Sequence, residues 1–136
     1  MIPTEEHRMK SSGTMRENPK TILIVDDEED VRYIVSEMIA EMGFAVYGAE
    51  SGQKALDLVS HTPVDLVISD VKMEGMDGLS LARRLRRRFP KLPLALMTAY
   101  PSDDVHRLLR EKEIDFLLIK PFFIDELQNM VLSLAG

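Results

Sequence analysis

The sequence predicts an α/β fold in which a parallel sheet is covered by helices on both faces. Three observations carry that expectation. Five short runs are apolar at consecutive positions, as strands buried on both sides must be. Amphipathic stretches of helical period separate them, giving the order βαβαβαβαβα. Polar residues of unusual chemistry stand at the C-terminal ends of the runs, where ligands bind in open α/β sheets. Each crossover between parallel strands is then expected to be right-handed.

The elements follow in order. Thr21–Asp27, TILIVDD, is an apolar run ending in two acids. The next stretch places Val31, Val35, Met38, Ile39 and Met42 on one helical face, and Gly43 supplies a stop. Phe44–Glu50 reads as the second strand. Ser51–Ser60 is a short helix with Ser51 at its N-cap, where a hydroxyl oxygen can accept from a first-turn N–H. Val64–Asp70 is the third buried run. Gly78–Phe89 carries Leu79, Ala82, Leu85 and Phe89 on one stripe, and Pro90 and Pro93 bracket its exit. Leu92–Ala99 is the fourth strand. Ser102–Glu113 is a helix with a serine cap and acids in its first turn, favourable for the helix dipole. Ile114–Pro121 is the fifth strand, and Ile124–Ala135 the closing helix. Residues 1–19 are polar and aperiodic and read as a flexible lead-in, with Met15 an alternative start. Residues 20–136 form one domain, with no internal repeat beyond the βα unit.

Bulk composition narrows the function. A chain of 136 residues, 45% hydrophobic and 29% charged, has material for one globular core. Its net charge of −6 argues against general affinity for nucleic acid or an anionic membrane. The absence of cysteine removes disulfide and thiol chemistry and fits a reducing cytoplasm. No apolar run approaches the roughly 18 residues of a membrane span, and the start lacks the apolar region of a signal peptide. A cytoplasmic location is expected.

The residues at the strand tips point to chemistry. Asp26 and Asp27 end the first strand, Asp70 the third, Thr98 the fourth and Lys120 the fifth. The second strand contributes no comparable group and is expected at an edge. Each residue alone has a plain reading: a helix cap, a turn residue, a strand-favouring threonine, a solvated lysine. Their convergence does not. Carboxylates gathered in a cleft repel one another unless a cation joins them. Hard oxygen ligands with an open coordination sphere suit Mg²⁺ (or Mn²⁺), and a lysine and a hydroxyl facing them suit a tetrahedral anion. The combination describes a phosphoryl site with an aspartate nucleophile. By contrast, Arg83, Arg84, Arg87 and Arg88 read as the solvated side of their helix rather than a nucleic-acid patch. His7, His61 and His106 match no metal spacing.

The motifs that carry these residues are VDDE (Val25–Glu28), ISD (Ile68–Asp70) followed by MDG (Met76–Gly78), MTAY (Met97–Tyr100) and KPF (Lys120–Phe122). In this order the chain from Lys20 to about Ala135 resembles the receiver domain of bacterial two-component response regulators. The resemblance implies a flavodoxin-like (βα)5 fold, a doubly wound five-stranded parallel sheet of strand order 2-1-3-4-5. It makes Asp70 the phosphoacceptor. Mg²⁺ would be held by Asp27, by Asp26 directly or through water, by Asp70 itself and by the backbone carbonyl of Lys72. Thr98 would hydrogen-bond the phosphoryl group, Lys120 would pair with its oxygens, and Lys120–Pro121 would be a cis peptide. The implied donor is a sensor histidine kinase or a phosphotransfer protein. The implied target is a downstream protein or a separate output domain, with a homodimer on phosphorylation compatible with the family. The reaction would be self-phosphorylation and slow autodephosphorylation, not turnover of a substrate. Two alternatives stand beside it: an interaction module independent of phosphorylation, and a phosphohydrolase. Lys72 argues against the second, because such enzymes place a second acid two residues after the nucleophile.

Two positions depart from the family's usual pattern, and two more flank the site. Glu74 stands where a proline is usual, which predicts a more mobile loop or added negative charge. Leu117 stands three before Lys120, where an aromatic is common, and Phe116 is adjacent; either the aromatic is absent or a bulge re-aims Phe116. Lys72 and Tyr100 are long side chains at positions that flank the phosphoryl site, and are expected to shield it from water. No output domain follows the closing helix, which fits either a single-domain regulator or a piece of a longer chain.

Overall fold

The computed structural model describes residues 8–9 and 19–136. The rest of the expected lead-in, with His7 and Met15, lies outside the described residues. Strands β1 (Arg8–Met9), β2 (Thr21–Val25), β3 (Ala45–Ala49), β4 (Leu66–Asp70), β5 (Leu94–Thr98) and β6 (Phe116–Ile119) form one sheet in the order β1-β3-β2-β4-β5-β6. All pairs from β3 to β6 are parallel, and these five strands follow the expected order 2-1-3-4-5. The second strand of the five, β3, ends the parallel set on one side but is not the edge of the sheet, contrary to expectation, because β1 lies beyond it. Its outer side pairs antiparallel with the two residues of β1.

The sheet is a partition between two apolar layers, because side chains alternate across each strand. Ile22 and Ile24 of β2 face helices α1 (Glu29–Ala40) and α5 (Ile124–Ala135), meeting Val35, Ile39, Leu127, Met130 and Val131. Leu23 and Val25 face helices α2 (Gly52–His61), α3 (Gly78–Arg88) and α4 (Asp103–Arg110). Ala55, Leu58, Leu81, Leu85, Val105 and Leu108 complete that layer. Every residue of β4 and β5 is buried, which explains the apolar runs Leu66–Ile68 and Leu94–Met97 that lead to their polar tips. Each fully buried Leu or Ile contributes about 1.5–3 kcal/mol.

Local chemistry sets the helix ends. The hydroxyls of Ser51 and Ser102 accept from the N–H groups of Lys54 and Val105, as expected of N-caps. Asp77, the middle residue of MDG, caps α3 by accepting from Ser80 N–H at 2.8 Å. Helix α4 is shorter than the Ser102–Glu113 reading. It ends at Arg110, and Lys112 takes φ 60°, which turns the chain so that Ile114 enters the core. Arg86 lies among the arginines of α3 but has a structural role. It donates to the carbonyls of Glu113, Pro90 and Leu92 and pairs with Asp115 at 2.8 Å, joining α3 to the entries of β5 and β6.

Candidate phosphoryl and metal site

The parallel sheet delivers the C-terminal ends of β2, β4, β5 and β6 to one edge, and the predicted site residues meet there. Asp26 is fully buried, and its N–H still bonds the carbonyl of Ala49 at 3.1 Å, one residue beyond β2. Its Oδ1 accepts from Glu28 N–H at 2.9 Å. Its Oδ2 is buried with no hydrogen-bond partner. Burial pushes the Asp26 carboxyl above the ordinary aspartate range, and the nearby charge of Asp70 adds to the rise; Glu28 N–H and Lys120 pull the other way. The Arg32 guanidinium donates to the Asp26 carbonyl at 2.7 Å, fixing the backbone at the tip.

Asp70 is 8% exposed and closes β4. Its Oδ1 accepts from Val71 N–H at 2.8 Å and lies 3.5 Å from the Lys120 ammonium. The same ammonium is 3.9 Å from the orphaned Oδ2 of Asp26. Lys120 therefore sits between the two buried acids, and the Lys120–Pro121 peptide that follows is cis, as expected. Thr98 is buried at the end of β5. Its hydroxyl oxygen accepts from Tyr100 N–H at 3.2 Å, which leaves the hydroxyl hydrogen available to an incoming acceptor.

Asp27 is exposed, and its Oδ2 accepts from Glu74 N–H at 3.2 Å across the site. Asp26, Asp27 and Asp70 each offer an oxygen, and these atoms lie within 4.8 Å of one another. Three carboxylates against one ammonium leave an excess of two negative charges. That excess, the hard oxygen donors and the partnerless Oδ2 of Asp26 fit a small divalent cation such as Mg²⁺.

The loop between β4 and α3 shapes the remaining side. Lys72 is exposed, with its ammonium 5.7 Å from the centroid of the exposed Tyr100 ring. Gly78 N–H bonds the Val71 carbonyl at 2.8 Å. A Cβ at Gly78 would lie 2.2 Å from the Asp70 carbonyl oxygen, so this glycine is what lets the loop close behind Asp70. Glu74, where the sequence predicts a more mobile loop or added negative charge, is exposed, and its backbone N–H bonds Asp27. Sequence reasoning had no signal for that bond, which depends on the fold and not on side-chain type.

The register of β6 resolves the question at Leu117. β6 pairs regularly with β5, with Leu117 opposite Leu96 and no bulge. Leu117 packs into the α2–α3–α4 layer, whereas Phe116 lies on the other face of the strand and is 37% exposed. The position three before Lys120 thus presents an aliphatic side chain towards α4. Among the described residues no helix is long and apolar enough to cross a membrane.

Comparison with known proteins agrees with this geometry. The family description "response regulator receiver domain" matches residues 22–132. Sporulation initiation phosphotransferase F of Bacillus subtilis is 36% identical over 112 residues, which cover 81% of this chain and 89% of that protein. The DNA-binding transcriptional regulator NtrC of Klebsiella pneumoniae is 34% identical over 108 residues, 79% of this chain but only 23% of its own length. The chain thus spans about a quarter of several of the curated relatives it matches and nearly the whole of the Bacillus subtilis protein. The solved structure of the response regulator TrrA from Thermotoga maritima, in complex with Mg²⁺ and BeF, has a TM-score of 0.77 and 35% identity. That match covers 85% of this chain and 98% of TrrA.

Proposed function

The chain belongs to the response regulator receiver domain family, and from that premise we propose that it is a phosphorylation switch with Asp70 as the phosphoacceptor. The observation that carries this reading is the placement of the Lys120 ammonium 3.5 Å from Asp70 Oδ1 beside a three-carboxylate cluster. A carboxylate oxygen of Asp70 attacks the phosphorus of a phosphohistidine in line. The O–P bond forms as the P–N bond breaks, and the leaving imidazole keeps the electron pair of that bond and takes up a proton. Asp26, Asp27, Asp70 and the backbone carbonyl of Lys72 would hold Mg²⁺ (or Mn²⁺), which would supply positive charge to the carboxylates and the phosphoryl oxygens.

Lys120 then pairs with a phosphoryl oxygen. The Thr98 hydroxyl, which now only accepts, can donate to another, giving charge-assisted hydrogen bonds absent before phosphorylation. The bonds bias the loops and surface around α4 and β6, where the partner surface is placed. With Leu117 facing α4, that coupling runs through an aliphatic contact. Lys72 and Tyr100, in contact with each other on the loops after β4 and β5, obstruct attacking water.

The phosphodonor is a sensor histidine kinase or phosphotransfer protein in the cytoplasm. The target is a separate protein or an output domain of a longer chain, with a homodimer on phosphorylation compatible with this surface. The domain turns over no external substrate beyond its own phosphorylation and slow dephosphorylation. Incubation with phosphoramidate and Mg²⁺, read by intact mass, tests the proposal. The wild type should gain one phosphoryl group, while Asp70→Ala and Asp70→Asn gain none. Labelling of Asp70→Ala at the wild-type level would overturn the assignment.

A further inference from the structure

The contact between Asp27 and the backbone of Glu74 is unused by the reading above. It joins residues 47 positions apart, from the first and third βα units. Asp27 is exposed, and a surface aspartate ordinarily samples several rotamers. Its carboxylate is held through the 3.2 Å bond from Glu74 N–H to Oδ2. The loop that supplies this donor is anchored at its base by Gly78 N–H on the Val71 carbonyl. Its walls are anchored by Met73 and Met76, which pack against the core. Glu74 stands at the apex, and the chain reverses at Gly75, where φ is 75°.

We propose that the backbone N–H of Glu74 is a positioning group for Asp27, coupling closure of the loop between β4 and α3 to cation binding. This rests on the reading of Asp26, Asp27 and Asp70 as a cation site. An ionised carboxylate has about four lone-pair positions on two oxygens, so one N–H donor orients Asp27 and still leaves oxygen for a cation. Outer partners of this kind fix a ligand in its binding orientation, and their loss costs about 10–100-fold in metal affinity. Proline at this position would have no N–H and could not make the bond. Linkage makes it reciprocal: if the closed loop favours the cation, the cation must favour the closed loop.

Two measurements test it. The first is calorimetric titration with Mg²⁺ of the wild type, Glu74→Ala and Glu74→Pro. Glu74→Ala keeps the N–H and removes the carboxylate, so its affinity should stay within about threefold of wild type, as expected of an exposed charge. Glu74→Pro should bind about tenfold more weakly than Glu74→Ala. Equal affinities of the alanine and proline variants would overturn the inference. The second measurement needs no proline variant and stands if that variant does not fold. Amide exchange at Glu74 in the wild type should be slowed relative to Asp27→Ala, and slowed further by Mg²⁺. An unprotected Glu74 amide in the Mg²⁺-loaded protein would also overturn it. If the wild type binds no Mg²⁺, the cation site itself is wrong and the coupling falls with it; a bound cation with an indifferent Glu74 rejects the coupling alone.

Discussion

Asp26 bears most of the electrostatic tension in the site, because its carboxylate is fully buried, faces Asp70 and leaves Oδ2 without a hydrogen bond. Asp26→Asn keeps an acceptor for Glu28 N–H and removes a buried charge. In metal-free buffer it should stabilise the fold by about 1–3 kcal/mol, measured by urea unfolding. The sign with pH follows from the raised carboxyl. Folding favours the neutral form of Asp26, so the charge penalty is present above the raised pKa and fades as pH falls through it. The gain from Asp26→Asn should therefore be full at neutral pH and shrink on acidification. At Gly78 the constraint is steric: the added methyl of Gly78→Ala would meet the Asp70 carbonyl, which is backbone and cannot swing aside. We expect a loss of about 1–3 kcal/mol in urea unfolding and slower phosphorylation by phosphoramidate. If Lys72 and Tyr100 shield the phosphoryl group as proposed, they set its lifetime rather than its reactivity. Lys72→Ala and Tyr100→Ala should each hasten loss of the phosphoryl group, followed by intact mass, and unchanged lifetimes in both would remove their shielding role.

At the scale of elements, α3 shows that neighbouring arginines can have unlike roles. Arg86 bridges three carbonyls and Asp115, while Arg87 and Arg88 are exposed. Arg86→Ala should cost about 1–2 kcal/mol, discounted for partial exposure, and Arg87→Ala less than about 0.5 kcal/mol in the same unfolding assay. The helical period of Gly78–Phe89 made the buried stripe of Leu85 legible and placed Arg87 and Arg88 outside. It could not single out Arg86, whose partners come from loops 4 to 29 positions away. The same limit applied to α4. Its capping serine and first-turn acids were readable, but its early end follows from the left-handed Lys112, a residue type with no preference for that conformation. In β6, alternation said that Leu117 and Phe116 face opposite ways. Only pairing with β5 said which faces α4.

For the whole molecule, the parallel sheet brings the C-terminal ends of β2, β4, β5 and β6 to one edge, where three carboxylates and Lys120 gather. A ligand that binds only the folded chain stabilises it by mass action, by about 2.7 kcal/mol at a hundredfold excess over its dissociation constant. Mg²⁺ should therefore raise the thermal midpoint of the wild type in proportion to occupancy, and chelator should reverse the rise. Asp26→Asn should respond much less, since it gives up one of the cluster's three carboxylates.

The order of the five βα units from β2 to α5 and the strand tips that carry Asp26, Asp27, Asp70, Thr98 and Lys120 were determined by the sequence alone. Both are properties of local period and residue type, and a parallel sheet brings C-terminal strand ends to one edge whatever the packing detail. Tertiary structure alone decided that Asp26 Oδ2 is left without a partner, that Leu117 faces α4, and that Glu74 N–H reaches Asp27. Those outcomes depend on distances between residues far apart in the chain, set by how the layers pack, and a backbone N–H looks the same in every residue except proline.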